Sequence, residues 1–131
     1  IRELAGRGVT VLLTTHYMDE AERLCDRLVI MDRGRILAED SPRALIDRHV
    51  GHQVVELRVS AAEEAAVLGG LEFDRVASVR TGDLRAFFFP RRSAEAERLM
   101  ARARESQVAC LVRNATLEDV FLELTGRELD R

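Results

Sequence analysis

The sequence predicts an α/β segment followed by an α+β unit in the order βαββαβ, with one further helix behind it. Three observations carry this. The run Val9-Thr10-Val11-Leu12-Leu13-Thr14-Thr15 is apolar and β-branched on both faces, the pattern of a buried parallel strand. From Val54 onward, period-2 alternation and helical periodicity take turns in the βαββαβ order. Beyond them, Leu117, Val120, Phe121 and Leu124 stand at i, i+3, i+4 and i+7, the stripe of an amphipathic helix.

The elements follow in order. Residues 1–5 have helical amphipathicity and the first residue is Ile rather than Met, so the chain reads as a piece of a longer protein that opens within a helix. Gly6 and Gly8 break that helix before the strand over 9–15. A helix then starts at Tyr17, with Met18, Ala21, Leu24 and Cys25 on one face and Asp19, Glu20 and Glu22 in the turns where the helix dipole favours acids. Strands over 28–31 and 36–38 flank the turn Asp32-Arg33-Gly34-Arg35, making a hairpin. Ser41 as N-cap and Pro42 at the first helical position open the next helix.

The character changes around residues 50–53, which divides the chain into units 1–50 and 53–131. In the second unit Val55, Leu57 and Val59 alternate with Glu56 and Arg58, Ser60-Ala61-Ala62-Glu63 is a capping box, and Gly69-Gly70 ends that helix. Strands over 73–79 and 84–89 flank the turn Thr81-Gly82-Asp83, Ser93 caps a helix with Ala96, Leu99, Met100 and Ala103 on one face, and a strand over 108–112 closes the unit. That order is the ferredoxin-like motif. Two helices on one face of a four-stranded sheet leave the other face open, for the last helix or for a second subunit.

Composition narrows the function. Apolar residues at 47% and charged residues at 33% of 131 describe a globular chain, not a disordered tail. The net charge is -3 and the 20 basic residues are dispersed, so no basic block offers a grip on a phosphate backbone and nucleic acid is not an expected partner. All of those basic residues are Arg, and chemistry that needs a lysine ammonium has to come from outside these residues. Cys25 and Cys110 form no C-x-x-C pair; they read as small buried hydrophobes, and the expected compartment is the cytosol. No apolar run approaches the roughly 20 residues that span a bilayer.

The candidate for chemistry is His16, at the junction where the expected strand ends and a helix begins. Ligands of open α/β sheets collect outside the carboxyl ends of the strands. An imidazole there can donate to a terminal phosphate oxygen or a water, although a lone loop histidine is more often structural or merely exposed.

Thr14-Thr15-His16-Tyr17-Met18-Asp19-Glu20-Ala21-Glu22, followed by Asp26-Arg27-Leu28-Val29-Ile30-Met31-Asp32-Arg33-Gly34-Arg35-Ile36, resembles the switch-histidine region of ABC transporter ATPases. The resemblance implies that residues 1–50 are the C-terminal piece of a P-loop ABC ATPase core. It implies that His16 is the catalytic switch histidine, contacting the γ-phosphate of ATP and helping to hold the attacking water in line. Positioning of that kind is the main device of phosphoryl transfer. Asn114-Ala115-Thr116-Leu117-Glu118-Asp119-Val120-Phe121-Leu122 resembles the extension of the drug-resistance exporter branch, the daunorubicin/doxorubicin type. For the whole protein these resemblances imply ATP and Mg2+ as cofactors, a second ATP-binding subunit in a homodimer, an integral membrane permease as partner, and a place on the inner face of the cell membrane. The cargo implied is a drug-like small molecule or a lipid.

The family's other motifs are missing from these residues. There is no G-x-x-x-x-G-K-[ST] loop, no Ser-Gly-Gly signature and no apolar strand ending in Asp-Glu to supply a magnesium ligand and a base. The 131 residues alone are therefore expected neither to bind ATP nor to hydrolyse it. The alternative reading is a non-catalytic regulatory or interaction module. A strand over 9–15 without upstream neighbours would also offer an open edge for self-association.

Two further patterns compete with core packing. Phe87-Phe88-Phe89 before Arg91-Arg92 is compatible with base stacking on a ferredoxin-like sheet, but strand alternation sends Phe87 and Phe89 to one face and Phe88 to the other. His49 and His52 could share a helical face, yet a metal site would need further ligands. Arg102 and Arg104 with Glu95, Glu97 and Glu105 read as a solvated helix face.

Overall fold

A computed structural model describes residues 1–69 and 77–127. The elements are α1 (Arg2–Gly6), α2 (Met18–Leu24), β1 (Leu28–Asp32), β2 (Arg35–Asp40), α3 (Pro42–His49), β3 (Gln53–Arg58), α4 (Ala61–Leu68), β4 (Ala77–Thr81), β5 (Arg85–Phe89), α5 (Ser93–Glu105), β6 (Ala109–Asn114) and α6 (Leu117–Thr125). Among these residues the fold is mixed α and β with two sheets, and every strand pair is antiparallel.

The parallel strand expected over 9–15 does not form. Those residues belong to no helix or strand, and Leu12 is 95% exposed. A strand is held by ladder bonds to a neighbour, and among the described residues none lies beside this run. The open edge expected there for self-association is therefore absent, and the edges of the four-stranded sheet are β4 and β6.

The hairpin of β1 and β2 forms as expected. Its turn residues Arg33 and Gly34 both have positive φ, 49° and 73°, which is what a two-residue type I′ turn requires. A bulge at Leu37 shifts the register, with Ile30 opposite Ala38 but Met31 opposite Ile36. Ser41 caps α3 by accepting from the Ala44 N–H at 3.2 Å.

The larger sheet runs β4-β5-β3-β6. Strand alternation splits its core in two. Val55, Leu57, Val59, Ala86 and Phe88 face α4 and α5, where Val67, Ala96, Leu99 and Ala103 meet them. Val54, Phe87 and Phe89 face the other way, into a cluster with Ala21, Ile30, Leu45, Val50, Leu117, Val120, Phe121 and Leu122. α6 thus covers the face that two helices left open, and it carries α2, α3 and the hairpin with it.

Two boundaries differ from expectation, and one cannot be compared. The N-cap of α5 is Arg92, with Ser93 already helical, because the Glu95 carboxylate accepts from the Arg91 and Arg92 N–H groups at 2.9 and 3.1 Å. The turn before β5 is 82–84, and Gly82 takes its positive φ of 59°. Of the strand expected over 73–79, residues 73–76 lie outside the described residues.

Candidate functional site

His16 lies in the loop just ahead of α2 and is exposed. Its neighbours fix the loop by side-chain bonds rather than by a ladder. The Thr15 hydroxyl accepts from the Tyr17 N–H at 3.0 Å and donates to the Glu20 carboxylate at 2.9 Å, so one threonine ties the loop to the first turn of α2. The His16 ring rests against the Tyr17 ring, centroids 4.1 Å apart and planes tilted by 35°. Among the described residues no hydrogen bond or ion pair holds the imidazole. Its nitrogens are free to meet a ligand.

What holds α2 is its inner face. Ala21 is buried and Met18 and Cys25 pack on the same cluster, as the sequence spacing predicts, whereas Leu24, expected on that face, is half-buried outside the cluster. Glu22, on the same helix, reaches 95 positions along the chain: its carboxylate accepts from the Leu117 N–H at 3.0 Å. Leu117 is the first residue of α6 and is fully buried.

α6 is fastened at several points besides. Asp119 accepts from the Thr116 N–H at 2.8 Å and from the Thr116 hydroxyl at 3.1 Å, an N-terminal box in which aspartate does the work expected of glutamate. Arg113 on β6 donates to both Asp119 oxygens. At the far end Arg127 pairs with Asp32 of the hairpin and lies over the Phe121 ring, 5.5 Å from its centre.

The remaining sequence candidates fall elsewhere. His49 Nδ1 lies 3.9 Å from a Glu123 oxygen and His52 Nδ1 lies 3.7 Å from an Asp47 oxygen, so the two histidines face different carboxylates. Among the described residues no group of three His, Cys, Asp or Glu side chains is placed to hold a metal. Cys25 is half-buried but Cys110 is exposed on the edge strand, against expectation; what burial it has raises its thiol pKa. Arg91 spans to the end of α3, donating to the Asp47 and Arg48 carbonyls at 2.8 Å each, so it caps a helix. With Phe87, Phe88 and Phe89 all buried, the base-stacking pattern dissolves into core and cap. On α5, Arg104, Glu97 and Glu105 are exposed as expected, whereas half-buried Arg102 bonds the Gly69 carbonyl. An open hollow of about 340 Å³, lined by Glu56, Arg58, Arg85, Cys110 and Leu111 among others, includes none of residues 14–22. Among the described residues no helix is long and apolar enough to cross a membrane.

Residues 80–126 match the family described as "Nodulation factor export protein NodI, C-terminal domain". The chain is 42% identical over 130 residues to Nod factor export ATP-binding protein I of Mesorhizobium japonicum, which takes in 99% of this chain and 37% of that protein. For the protein of that name from Rhizobium sp. (strain N33) the identity is 44% over 131 residues, 100% of this chain and 41% of the other. For that of Burkholderia orbicola it is 40% over 131 residues, 98% and 41%. Nod factor export ATP-binding proteins are similar to this chain from end to end. The chain spans about two fifths of the length of these curated relatives. The similarity to Nod factor export ATP-binding proteins includes the His16 segment, and the family match runs from within β4 to just beyond α6, taking sheet and last helix together.

Proposed function

We propose that this chain is the C-terminal part of the ATP-binding subunit of an ABC exporter, in which His16 meets the γ-phosphate of ATP bound mainly by segments outside these residues. The observation that carries the reading is the end-to-end similarity to Nod factor export ATP-binding proteins, joined to an exposed, unbonded imidazole at the head of α2. Of the switch-histidine segment, Thr15 and Glu20 have structural work in fixing the loop, while His16 has none. Its ring can give one N–H to a phosphate oxygen, but the charge of a Mg2+-bound triphosphate needs a cradle these residues do not supply.

The second unit is, in this reading, a ferredoxin-like attachment that regulates or stabilises a dimer of ATP-binding subunits. Its order β4-β5-β3-β6, with both connecting helices on one face, supports the ferredoxin-like assignment. This reading divides the chain into units 1–50 and 53–131; one sheet falls in each, and α6 packs against elements of both. The subunit works from the cytoplasmic face beside a membrane permease. The names of the relatives favour a Nod factor as cargo over a drug of the daunorubicin or doxorubicin kind.

The test is His16→Ala in the full-length subunit. Turnover falls sharply while ATP still binds; near-normal hydrolysis would sink the assignment. Calorimetric titration of the 131-residue chain with Mg-ATP is expected to show no saturable binding at micromolar levels. If the chain is a self-sufficient nucleotide site instead, that titration will saturate.

A further inference from the structure

We infer that Glu22 is a positioning residue for His16, and that it acts by fastening α2 to α6. This rests on the reading of His16 above and extends it to how the histidine is held.

The argument starts from α2 itself. A helix of seven residues is too short to stand alone, since isolated helices below about 12 residues are marginal in water. Its place is therefore set by what it touches. The loop bearing His16 is tied to α2 through Thr15 and Glu20, so wherever α2 goes the imidazole goes.

Glu22 makes a polar contact that joins α2 to α6. It accepts the Leu117 N–H, one of the first-turn donors that a helix cannot satisfy within itself. A carboxylate at that end of α6 also meets the positive end of the helix dipole. Leu117 is fully buried, so an N–H that loses Glu22 has little access to water as a replacement.

α6 is the fixed body of the pair. Asp119 and Arg113 bind its first turn to β6, and Arg127 binds the segment after it to Asp32. None of these bonds depends on Glu22. Loss of Glu22 therefore leaves α2 held by its apolar inner face alone, which loosens it and the His16 loop, and leaves α6 seated. Glu22 can also come away without touching the core residues of either sheet. Its role is then to set where His16 points, and through α6 the C-terminal sheet has a route to that histidine.

The test uses hydrogen exchange on the 131-residue chain and turnover in the full-length subunit. Glu22→Ala is expected to speed exchange of the α2 amides about tenfold while those of α3 and β6 hold. In the full-length subunit it lowers kcat about tenfold, with KM for ATP within about twofold, because the group displaced is the positioned one and not the binding cradle. Glu22→Gln, which keeps a carbonyl acceptor, recovers most of both. Asp32→Asn, at the other end of α6, lowers the melting temperature but leaves kcat alone.

Unchanged α2 exchange in Glu22→Ala would overturn the fastening. An equal kcat loss in Asp32→Asn would overturn the positioning, because general loosening would then explain it. The combination Glu22→Ala with His16→Ala separates this inference from its premise. No further loss beyond His16→Ala supports action through the histidine, and multiplied losses refute it. If His16→Ala alone is harmless, the premise falls while the exchange result still decides the fastening.

Discussion

Arg113 and Asp119 form a two-pronged ion pair, with nitrogen-to-oxygen distances of 2.7 and 2.8 Å, that joins edge strand β6 to the first turn of α6. The two partners differ in exposure: the Asp119 side chain is 3% exposed and that of Arg113 is 32%. Asp119 also raises the pKa of Arg113, and Glu56 stands 3.7 Å from the same guanidinium. Removing one partner is therefore not equivalent to removing the other. Arg113→Met strands a buried carboxylate that, among the described residues, keeps Thr116 alone as a donor, at a cost of about 3 kcal/mol. Asp119→Asn leaves an arginine that still has Glu56 and water, at about 1–2 kcal/mol. Urea unfolding of both singles and the double variant gives the coupling, and simple additivity would show that the pair is not a unit.

Gly51 and Arg91 form a second joint. Gly51 has φ +81°, and a Cβ there would stand 3.5 Å from the Arg91 guanidinium. Gly51→Ala is strained by its backbone whatever the space, and should cost about 1 kcal/mol. Arg91→Ala removes two bonds to the end of α3 and costs a similar amount, about 1 kcal/mol, because the site is open to water. Thermal melts check both. Were Arg91 a nucleic-acid contact instead, its loss would leave the melting temperature unchanged and weaken RNA retention.

Most elements were legible because their signals are local. The capping box at Ser60 and Glu63, the Arg33-Gly34 turn and the alternation of Phe87, Phe88 and Phe89 each depend on residues within a few positions of one another. His16 stands out as a candidate for a similar reason, since the neighbours that mark it are adjacent in sequence. The run 9–15 misled because β-branched apolar residues state a preference, while a strand exists only with a partner. Glu22 and Arg91 were illegible because their partners lie 95 and 43–44 positions away. Nothing in a helical wheel tells a carboxylate facing another helix from one facing solvent.

The placement of α6 changes what truncation should do. Leu117 and Val120 are fully buried in a cluster built from both halves of the chain, together with Phe121 and Leu122. Cutting after residue 114 would uncover Phe87 and Phe89 on one side and Ala21, Leu45 and Val50 on the other. That truncation is expected to bind a hydrophobic dye and to lose cooperative unfolding in both halves. The single change Leu117→Ala should cost about 2–5 kcal/mol, more than loss of Glu22, because the cavity penalty at a sealed site exceeds one hydrogen bond. If α6 served only the second sheet, exchange protection in α2 and α3 would survive the truncation.

Acid sensitivity should come first from two carboxylates at helix starts. Asp40 accepts from the Ser41 N–H at 2.8 Å and from Arg48 at 2.6 Å, and the backbone bond more than the arginine holds its pKa below the ordinary range. Glu63 is lowered likewise, by the Ser60 N–H first and the Ser60 side chain next. A carboxylate whose folded pKa is depressed stabilises the fold above its unfolded pKa, and that contribution is lost as pH falls through the folded value. The window therefore opens near pH 4, about where free carboxylates titrate, and extends below it. Glu63 is exposed and Asp40 half-buried beside an exposed arginine, so each effect is small and the Arg48 part weakens with salt. Urea midpoints taken from about pH 6 down to about pH 3 should fall in the parent chain and fall less in Glu63→Gln, which has no proton to take up. The Glu63 difference should persist in high salt, because its partner is a backbone dipole rather than a charge. A midpoint in Glu63→Gln that tracks the parent throughout would show that the α4 cap contributes nothing to the acid response.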